Sequence, residues 1–414
     1  MQVMEERTIS AEGQDLRLFV IAGEHSGDAL GGRLMAALND KRRGRIRYLG
    51  VGGVDMGARG LVSQFPLEDV AVMGLSAILP RLPKILRRIR STAAAAIASD
   101  PDAVVIIDSP EFTHPIARRI RRRRPDIPII DYVSPSVWAW RSGRARRMRN
   151  YIDHVLALLP FEPEVHHRLG GPPCTYVGHP LVERQAWLQQ LDTRPLAERL
   201  ALPPDTALLV VLPGSRSSEV KKLMEPFGLA LTRLMERGRR FEVVMPVVPS
   251  VRGLIEQYLP AWPKQPTLVE GDEDKFRAFK LARGALAASG TVTLELAVAG
   301  TPMVVAYKVD GVMVPALRLM IKTTSIGLPN LILGEKAFPE LIQEACTPSS
   351  LASAVAAILD EGPARDKQLA ALSRIPARLA LPRGTPSEAA ADVVLHYAEK
   401  GRGWPHPDIL ASGA

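Results

Sequence analysis

Two polar segments in the second half of the chain have residue types suited to binding a diphosphate. In Pro213-Gly214-Ser215-Arg216, a glycine and a small serine let backbone amides approach an anion, and the arginine supplies a planar guanidinium. Ser289-Gly290-Thr291 precedes a helical pattern, and the free amides at a helix N-terminus attract phosphate. Glu295, further along that helix, is placed to accept hydrogen bonds from two ribose hydroxyls. Either segment alone is more often an ordinary turn with a helix cap, but together with Glu295 they favour a nucleoside diphosphate.

The first half of the chain offers a candidate general base. Asp108 ends an apolar run (VVIID), so its carboxylate is expected at a strand end and partly desolvated. The alternative is an ordinary helix N-cap. His179, in Gly178-His179-Pro180, either orients a phosphate or caps a strand, and the structural role is favoured. The acidic run 271–274 is more typical of a helix cap than of a metal site, and the sequence has no HExxH or GxSxG motif and no Cys/His cluster. We therefore expect neither a metal nor another cofactor.

The elements that must position these residues form a repeating pattern. Short apolar runs that end in polar loops alternate with helical patterns, which predicts an α/β fold with parallel sheets. Ligands of such sheets bind beyond the carboxyl ends of the strands, which is where these segments lie. The sequence predicts two Rossmann-like, doubly wound domains, residues 16–190 and 205–384, separated near Pro203-Pro204. The apolar runs are 16–22, 46–51, 103–107, 127–132 and 154–158, then 207–212, 241–245, 284–288 and 302–307.

The charge balance favours an anionic partner. The chain has 53 Lys and Arg against 44 Asp and Glu, a net charge of +9, so nucleic acid, an anionic membrane face or phosphorylated substrates are all compatible. Aromatic residues are only 5% and do not interleave with the basic runs, so nucleic acid is not expected. Residues 70–90 and 312–322 are apolar and then basic, which is typical of a membrane-surface segment or of a buried helix with a charged end.

Cysteine usage and hydropathy indicate a compartment. The chain has two cysteines, Cys174 and Cys346, which fits a reducing environment and excludes a disulfide scaffold. Residues 1–17 have no apolar signal-like region, and no stretch approaches about 18 consecutive apolar residues. We expect a cytoplasmic protein that is either soluble or peripheral on a membrane.

Taken together, these motifs resemble those of the lipid-A-disaccharide synthases over nearly the whole chain, residues 18–400. The most specific match is the run VSPSVWAW at residues 133–140. The other matching segments are AGEHSGD at 22–28, GVGG at 50–53, IDSP at 107–110, LPFE at 159–162, VGHP at 177–180, LPGSR at 212–216, ASGT at 288–291, PMVV at 302–305 and LPN at 328–330.

The resemblance implies a GT-B architecture, whose last helix (residues 385–400) returns to an acceptor and membrane domain at 16–190, with UDP-sugar binding at 205–384. The implied reaction moves 2,3-diacylglucosamine from its UDP carrier to the 6-hydroxyl of 2,3-diacylglucosamine 1-phosphate. The products are the β-1,6 disaccharide 1-phosphate and UDP. By position, Asp108 resembles the general base, Arg216 the diphosphate ligand and Glu295 the ribose ligand. Residues expected in substrate loops are Gly23, Glu24, Ser26, Asp28, His179 and Asn330, and those expected at the donor are Gly214, Ser215, Arg216, Ser289, Gly290, Thr291 and Glu295.

Some features depart from the family pattern. After Asp108 the family usually reads Ser-Pro-Asp-Phe-Asn, whereas this chain has Glu111 and Thr113 at the acid and amide positions. Leu75-Ser76-Ala77 stands where a Glu-Val pair is common, so selection of acyl chains is expected to differ. A homodimer is compatible with the sequence. The alternatives are another GT-B enzyme of UDP-N-acetylglucosamine, either a peptidoglycan-type transferase or a 2-epimerase, and a non-catalytic basic protein.

Overall fold

A computed structural model describes residues 15–71, 81–202, 206–309 and 325–403. The chain divides into two compact units, the first formed by Met1–Pro180 with Leu381–Ala414 and the second by Leu181–Ala380. Most of the apolar part of segment 70–90, and the whole of segment 312–322, lie outside the described residues.

The first unit is built on a seven-stranded parallel sheet in the order β3-β2-β1-β4-β5-β6-β7. Its strands consist of branched apolar residues because helices cover both faces, so most strand positions are buried. The strands are β1 (Leu16–Ala22), β2 (Ile46–Val51), β3 (Val62–Ser63), β4 (Ala103–Ile107), β5 (Ile129–Tyr132), β6 (His154–Ala157) and β7 (Cys174–Tyr176). The helices are α1 (His25–Arg42), α2 (Val54–Gly57), α3 (Leu82–Ala98), α4 (Pro110–Arg123), α5 (Gly143–Met148) and α6 (Glu162–Arg168).

The register of this sheet brings three loops to one place. Ala22 pairs with Ile107, and Ile107 pairs with Tyr132, so β1, β4 and β5 end in one row. The strand order reverses between β1 and β4, because β2 lies on one side of β1 and β4 on the other. Such a switch point, at the carboxyl ends of the strands, is where open α/β sheets bind ligands.

The second unit has a six-stranded parallel sheet in the order β10-β9-β8-β11-β12-β13, with its switch point between β8 and β11. Its strands are β8 (Ala207–Leu212), β9 (Phe241–Pro246), β10 (Thr267–Val269), β11 (Gly284–Ala288), β12 (Met303–Tyr307) and β13 (Glu340–Ile342). Its helices are α7 (Pro180–Glu183), α8 (Gln185–Gln190), α9 (Arg194–Leu200), α10 (Ser217–Glu236), α11 (Pro249–Tyr258), α12 (Asp272–Leu281), α13 (Val292–Ala299), α14 (Leu328–Leu333), α15 (Pro348–Leu359) and α16 (Pro363–Leu379). Short 3₁₀ turns lie at Leu67–Asp69 in the first unit and at Leu259–Ala261 and Gln343–Ala345 in the second.

The stretch from Leu181 to Pro204, which the sequence pattern indicates as the interdomain segment, is folded onto the second unit as far as the structure describes it, to residue 202. Lys280 donates hydrogen bonds to the carbonyls of Leu188 and Leu191, at 2.9 and 3.0 Å. Leu196 on α9 is fully buried, and Arg199 pairs with Asp274. Side chains about 80 residues away, which local sequence patterns do not reveal, hold α8 and α9 in place.

The last helix, α17 (Pro386–Lys400), belongs to the first unit, as the predicted fold class requires. Thr385 and Glu388 form a reciprocal capping box at its start, which satisfies amides that the helix itself leaves without acceptors. Val393, Val394 and Tyr397 are buried in the same apolar cluster as β1 and α1. The C-terminal helix therefore completes the core of the unit that contains the N-terminal strand.

Candidate functional site

Asp108 follows β4 at the switch point of the first unit, in a constrained backbone. Asp108 and Ser109 have φ values of 52° and 45°, a left-handed conformation that is costly for residues with a Cβ. Local hydrogen bonds hold this turn: the Asp108 amide donates to the Tyr132 carbonyl at 3.0 Å, and the Thr113 hydroxyl donates to the Asp108 carbonyl at 2.8 Å. Strained backbone that the surroundings fix in this way is concentrated at functional sites.

The electrostatic environment suits Asp108 to proton abstraction. Burial raises the pKa of Asp108 above its usual 3.8, a hydrogen bond from the Ser109 amide lowers it, and the nearby charges of Glu24 and Asp131 raise it. The Ser109 amide donates to Oδ1 at 2.7 Å, and among the described residues Oδ2 receives no hydrogen bond. A carboxylate with a raised pKa and one free oxygen is suited to accept a proton from a hydroxyl group.

The loop after β1 packs directly against this turn. A Cβ on Gly23 would lie 2.5 Å from the Ser109 Cβ, so a glycine is needed for the two loops to approach. Glu24 is half-buried and Ser26 is exposed, so both have access to solvent at the switch point. The predicted substrate residues Gly23, Glu24 and Ser26 therefore lie beside Ser109, the neighbour of Asp108.

Asp28, by contrast, is buried and its carboxylate is occupied. It accepts hydrogen bonds from the amides of Gly53, Asp55 and Met56 at 2.7, 2.9 and 3.1 Å. These amides are at the start of α2, where a helix leaves its own N–H groups unpaired. Asp28 holds α2 against α1, and the structure offers no free oxygen for a substrate in this position.

His179 lies apart from the switch point of its sheet. It follows β7, three strands away from β4 in the sheet order. Burial lowers the pKa of His179 to about 4, with Arg33 contributing, so the imidazole is neutral near pH 7. The preceding Gly178 has φ +87°, and a Cβ there would contact Leu381 and Pro386 where the chain re-enters this unit. These contacts favour the structural role over phosphate binding.

The loop after β5 is held by buried polar groups that the sequence interpretation did not assign. Val133 has φ 87°, which is rare for a β-branched residue. The Ser134 hydroxyl lies 2.9 Å from His166 Nε2, and Trp138 Nε1 donates to Glu162 Oε1 at 3.3 Å. Burial raises the pKa of Glu162 to about 8 and lowers that of His166 to about 4. The motif LPFE, which ends at Glu162, was the available signal for this support.

In the second unit, Gly214, Ser215 and Arg216 follow β8 at the switch point, but the amides of Ser215 and Arg216 are used within the protein. Both donate to Glu219 Oε2, at 3.1 and 3.3 Å, so the Glu219 side chain caps the start of α10. Gly214 has φ +118°, and a Cβ at this position would lie 2.5 Å from Glu219. The Arg216 guanidinium donates to Glu219 Oε1 at 2.9 Å and is 64% exposed, so most of its N–H groups remain available to an anion.

The segment after β11 keeps the features expected of an anion site. Within the described residues the amides of Gly290 and Thr291, ahead of α13, donate no hydrogen bond, and both residues are exposed. The Ser289 hydroxyl donates to the Ile326 carbonyl at 3.0 Å, which ties this loop to the start of α14. Glu295 lies 3.0 Å from Lys275 Nζ through each carboxylate oxygen. Free helix amides near a positioned carboxylate are compatible with a phosphate and a sugar hydroxyl pair.

Asn330 is fully engaged within the second unit. Its Nδ2 donates to the Phe338 carbonyl and to Glu340 Oε1, each at 2.8 Å. Its Oδ1 accepts from the amides of Ala337 and Phe338 at 2.9 and 3.0 Å. An amide side chain has two donor hydrogens and two acceptor lone pairs, and all four are used here. The structure therefore gives Asn330 a loop-holding role rather than contact with a ligand.

The basic start of α3 is the described part of the apolar and basic segment 70–90. Leu82 and Leu86 are 43% and 40% exposed, and Arg87 beside them is exposed as well. Lys84 and Arg88 both pair with Asp69, at 2.5 Å each. No helix of the described residues is long and apolar enough to cross a bilayer.

Comparison with sequences of known proteins gives matches over most of the chain. A family model described as lipid-A-disaccharide synthetase matches residues 18–387. The chain is 50% identical to the lipid-A-disaccharide synthase of Nitrobacter hamburgensis over 95% of its length and 98% of the relative's. It is 52% identical to that of Rhodopseudomonas palustris strain BisB18, over 92% of this chain and 95% of the relative.

Comparison with solved structures gives the fold. UDP-GlcNAc 2-epimerase from Neisseria meningitidis bound to UDP-GlcNAc aligns with a TM-score of 0.59 at 11% identity, covering 92% of this chain and 99% of that one. A glycosyltransferase from Rickettsia africae aligns with a TM-score of 0.57 at 12% identity, covering 94% and 99%. The prediction of two Rossmann-like domains of the GT-B type is confirmed.

Proposed function

The chain belongs to the lipid-A-disaccharide synthase family, and on that premise we propose that Asp108 is its general base and that the segments after β8 and β11 bind the donor UDP. The protein is a UDP-sugar-dependent glycosyltransferase of lipid A biosynthesis. It transfers 2,3-diacylglucosamine from UDP to the 6-hydroxyl of 2,3-diacylglucosamine 1-phosphate, which gives the β-1,6 disaccharide 1-phosphate and UDP.

The environment of Asp108 is the observation that supports its role. The transfer inverts the anomeric centre, so a base must take the proton of the acceptor hydroxyl as it attacks. Asp108 stands at the switch point of its sheet, its pKa is raised by burial, and Oδ2 receives no hydrogen bond from the described residues. Because Ser109 supports Oδ1 only, the second oxygen is available to the hydroxyl group.

The second unit supplies what the departing UDP requires. The diphosphate gains negative charge as the glycosidic bond breaks, and fixed donors that meet this charge lower the barrier. The free amides of Gly290 and Thr291 and the exposed guanidinium of Arg216 are such donors. Glu295 then accepts the ribose hydroxyls, with Lys275 holding its carboxylate in place. Glu219 accepts one hydrogen bond from the Arg216 guanidinium, whose remaining N–H groups are available to the diphosphate.

We also propose that the first unit docks on the anionic inner face of the inner membrane. Both substrates carry acyl chains, and the start of α3 exposes Leu82 and Leu86 beside basic side chains. In a flotation assay, a smaller fraction of the double variant Leu82→Asp, Leu86→Asp than of the parent protein should co-float with vesicles of anionic phospholipid. Release of the parent by 0.5 M salt alone (roughly a twofold shorter screening length than at physiological salt) would mean that charge, and not these leucines, holds it.

The test of the catalytic assignment uses both lipids. Purified protein is incubated in EDTA with UDP-2,3-diacylglucosamine, with and without 2,3-diacylglucosamine 1-phosphate, and UDP and disaccharide are followed. We expect both products only with acceptor, and a rate at least about 10³-fold lower in Asp108→Asn. Asp40→Asn, an exposed aspartate on α1, is the matched control and should keep the parent rate.

The outcomes separate the alternatives. UDP released at the same rate without acceptor would indicate epimerase-like or hydrolytic chemistry on the donor. Turnover of UDP-N-acetylglucosamine but not of the acylated donor would favour a peptidoglycan-type transferase. An undiminished Asp108→Asn rate would remove Asp108 as the base, while leaving the family reaction in place.

A further inference from the structure

A pair of arginines lies close to Asp108 and is not used by the chemistry described so far. Glu111, on the first turn of α4 and three residues beyond Asp108, accepts a hydrogen bond at Oε1 from Arg144 Nη2 at 2.5 Å. Arg141 Nη1 lies 3.7 Å from the same Glu111 oxygen. Glu111 lies on the helix that follows β4, and both arginines lie after β5, and these two strands are paired at Ile107 and Tyr132. Because both arginines contact Glu111, which is three residues from Asp108, they are held near the base.

The two guanidinium groups have more donors than Glu111 can use. Each arginine carries five N–H groups in a planar fork, and Glu111 takes one hydrogen bond from Arg144. Arg141 stacks on the Trp140 ring, with its guanidinium carbon 4.5 Å from the ring centroid, which leaves the N–H edges free. Two positive charges against one carboxylate leave a surplus of one, in a group whose Glu111 and Arg141 side chains are 75% and 48% exposed.

We propose that Arg141 and Arg144 bind the anomeric phosphate of the acceptor sugar, an inference that rests on the proposed function of Asp108. In a glucosamine 1-phosphate, C1 with its phosphate and C5 with its 6-hydroxymethyl group are both bonded to the ring oxygen, so the phosphate is close to the 6-hydroxyl. Consecutive Cα atoms are about 3.8 Å apart, so the Cα atoms of Asp108 and Glu111, three residues apart, are separated by at most about 11 Å, which keeps the arginines that contact Glu111 near the base. A phosphate there draws the acceptor to one orientation, with its 6-hydroxyl at Asp108, and a planar fork suits its oxygens.

The backbone conformation of Arg141 is compatible with a functional role for this arginine. Its φ is 51°, a conformation that a residue with a Cβ adopts at a cost, and a glycine at this position would remove that cost. The chain instead keeps an arginine there, stacked on an exposed tryptophan.

The test compares acceptors with and without the phosphate. Initial rates of the full-length protein are measured with 2,3-diacylglucosamine 1-phosphate and with 2,3-diacylglucosamine, for the parent, for Arg141→Gln, Arg144→Gln and for the double variant. We expect each single substitution to raise the KM for the phosphorylated acceptor about tenfold or more, with the KM for the donor unchanged. The preference for the phosphorylated acceptor should disappear in the double variant. Arg146→Gln, an exposed arginine on the same helix α5, should behave as the parent.

Each result bears on one proposal. A parent that uses both acceptors equally well, or a double variant that keeps the preference, would overturn the phosphate assignment while the family reaction stands. An equal loss on both acceptors would also overturn it, and unchanged melting curves would show that the loss is not one of folding. A parent that forms no disaccharide from either acceptor would instead contradict the proposed function.

Discussion

The close approach of Gly23 to Ser109 allows a single substitution to test the geometry of the turn at Asp108. In Gly23→Ala the new methyl group would lie 2.5 Å from the Ser109 Cβ, 2.8 Å from its Oγ and 3.3 Å from Phe112 Cδ1. Ordinary contacts begin near 3.4 Å, so Ser109 must move by about 0.9 Å, and Asp108 is its neighbour. Ser109 cannot rotate away easily, because its Oγ is buried and its backbone is already left-handed.

Two consequences follow in measurable form. Overpacking of this kind costs about 1–3 kcal/mol, which for a unit of this size lowers the melting temperature by roughly 2–12 °C. A displacement of about 1 Å at a catalytic group lowers kcat by about 10²-fold. The disaccharide assay and thermal unfolding by circular dichroism measure the two effects on the same preparation. Gly57→Ala is the control, because a Cβ there meets nothing within 4 Å.

A second substitution should restore what the first removes. Ser109→Gly deletes the atoms that the new methyl group strikes, and glycine accepts the φ of 45° without strain. We expect Gly23→Ala, Ser109→Gly to recover most of kcat and of the melting temperature, with a coupling energy of about 1–3 kcal/mol. Parent-like kcat and stability in Gly23→Ala alone would refute the reasoning. So would a double variant no better than the single one.

Three further predictions concern residues that hold the loops. Asp28→Ala should lower the free energy of unfolding, measured by urea denaturation, by about 3 kcal/mol or more, because three amides at the start of α2 lose their acceptor. An unchanged urea midpoint would contradict this. Asn330→Ala should cost about 3 kcal/mol in thermal unfolding, whereas a stable protein with a raised donor KM would return Asn330 to the ligand site. Burial lowers the pKa of His166 to about 4 in the folded protein, against 6.5 in the unfolded chain. The neutral histidine therefore makes its full contribution to the free energy of unfolding above pH 6.5, and this contribution is lost as the pH falls toward 4. That loss amounts to about 3 kcal/mol, and His166→Gln should show a shallower fall of the urea midpoint between pH 7 and pH 4.5; an identical fall would exclude this histidine as the cause.

The strands and the strand-end loops could be predicted from the sequence because their signals are local. A buried parallel strand is a run of branched apolar residues, and its end is marked by glycine, serine, proline or aspartate, as in the run that ends at Asp108. The carboxyl-edge position of Asp108 follows from that pattern together with the rule on ligand sites. The positions of α8 and α9 did not follow, because they depend on Lys280 and Arg199 contacting residues that are distant along the chain or on another helix.

The capping of α10 by Glu219 has a partial signature in the sequence. Glu219 is the third residue after Arg216 at the start of a helical pattern, a spacing at which a glutamate side chain accepts from the N-cap amide. The hydrogen bonds show this half of the motif, with the Ser215 amide as a second donor, while the Arg216 side chain has no acceptor and donates to Glu219 instead. Of the groups that Ser215 and Arg216 contribute after β8, the guanidinium is therefore the stronger candidate for a phosphate ligand.

Hydrogen-bonding capacity separates the polar residues that hold the loops from those that remain available to a substrate. Asp28 and Asn330 stand in motifs as specific as the one that contains Asp108, yet their acceptors are filled by amides 7 to 28 residues away. Sequence cannot count those bonds, because each depends on which loop the fold brings near. Asp108 keeps one oxygen without a hydrogen bond among the described residues, and Arg216 keeps most of its donors. Asp108 is half-buried and Arg216 is exposed, so both can reach a substrate. The available hydrogen-bonding groups, more than the match of sequence motifs, therefore carry the argument for the site.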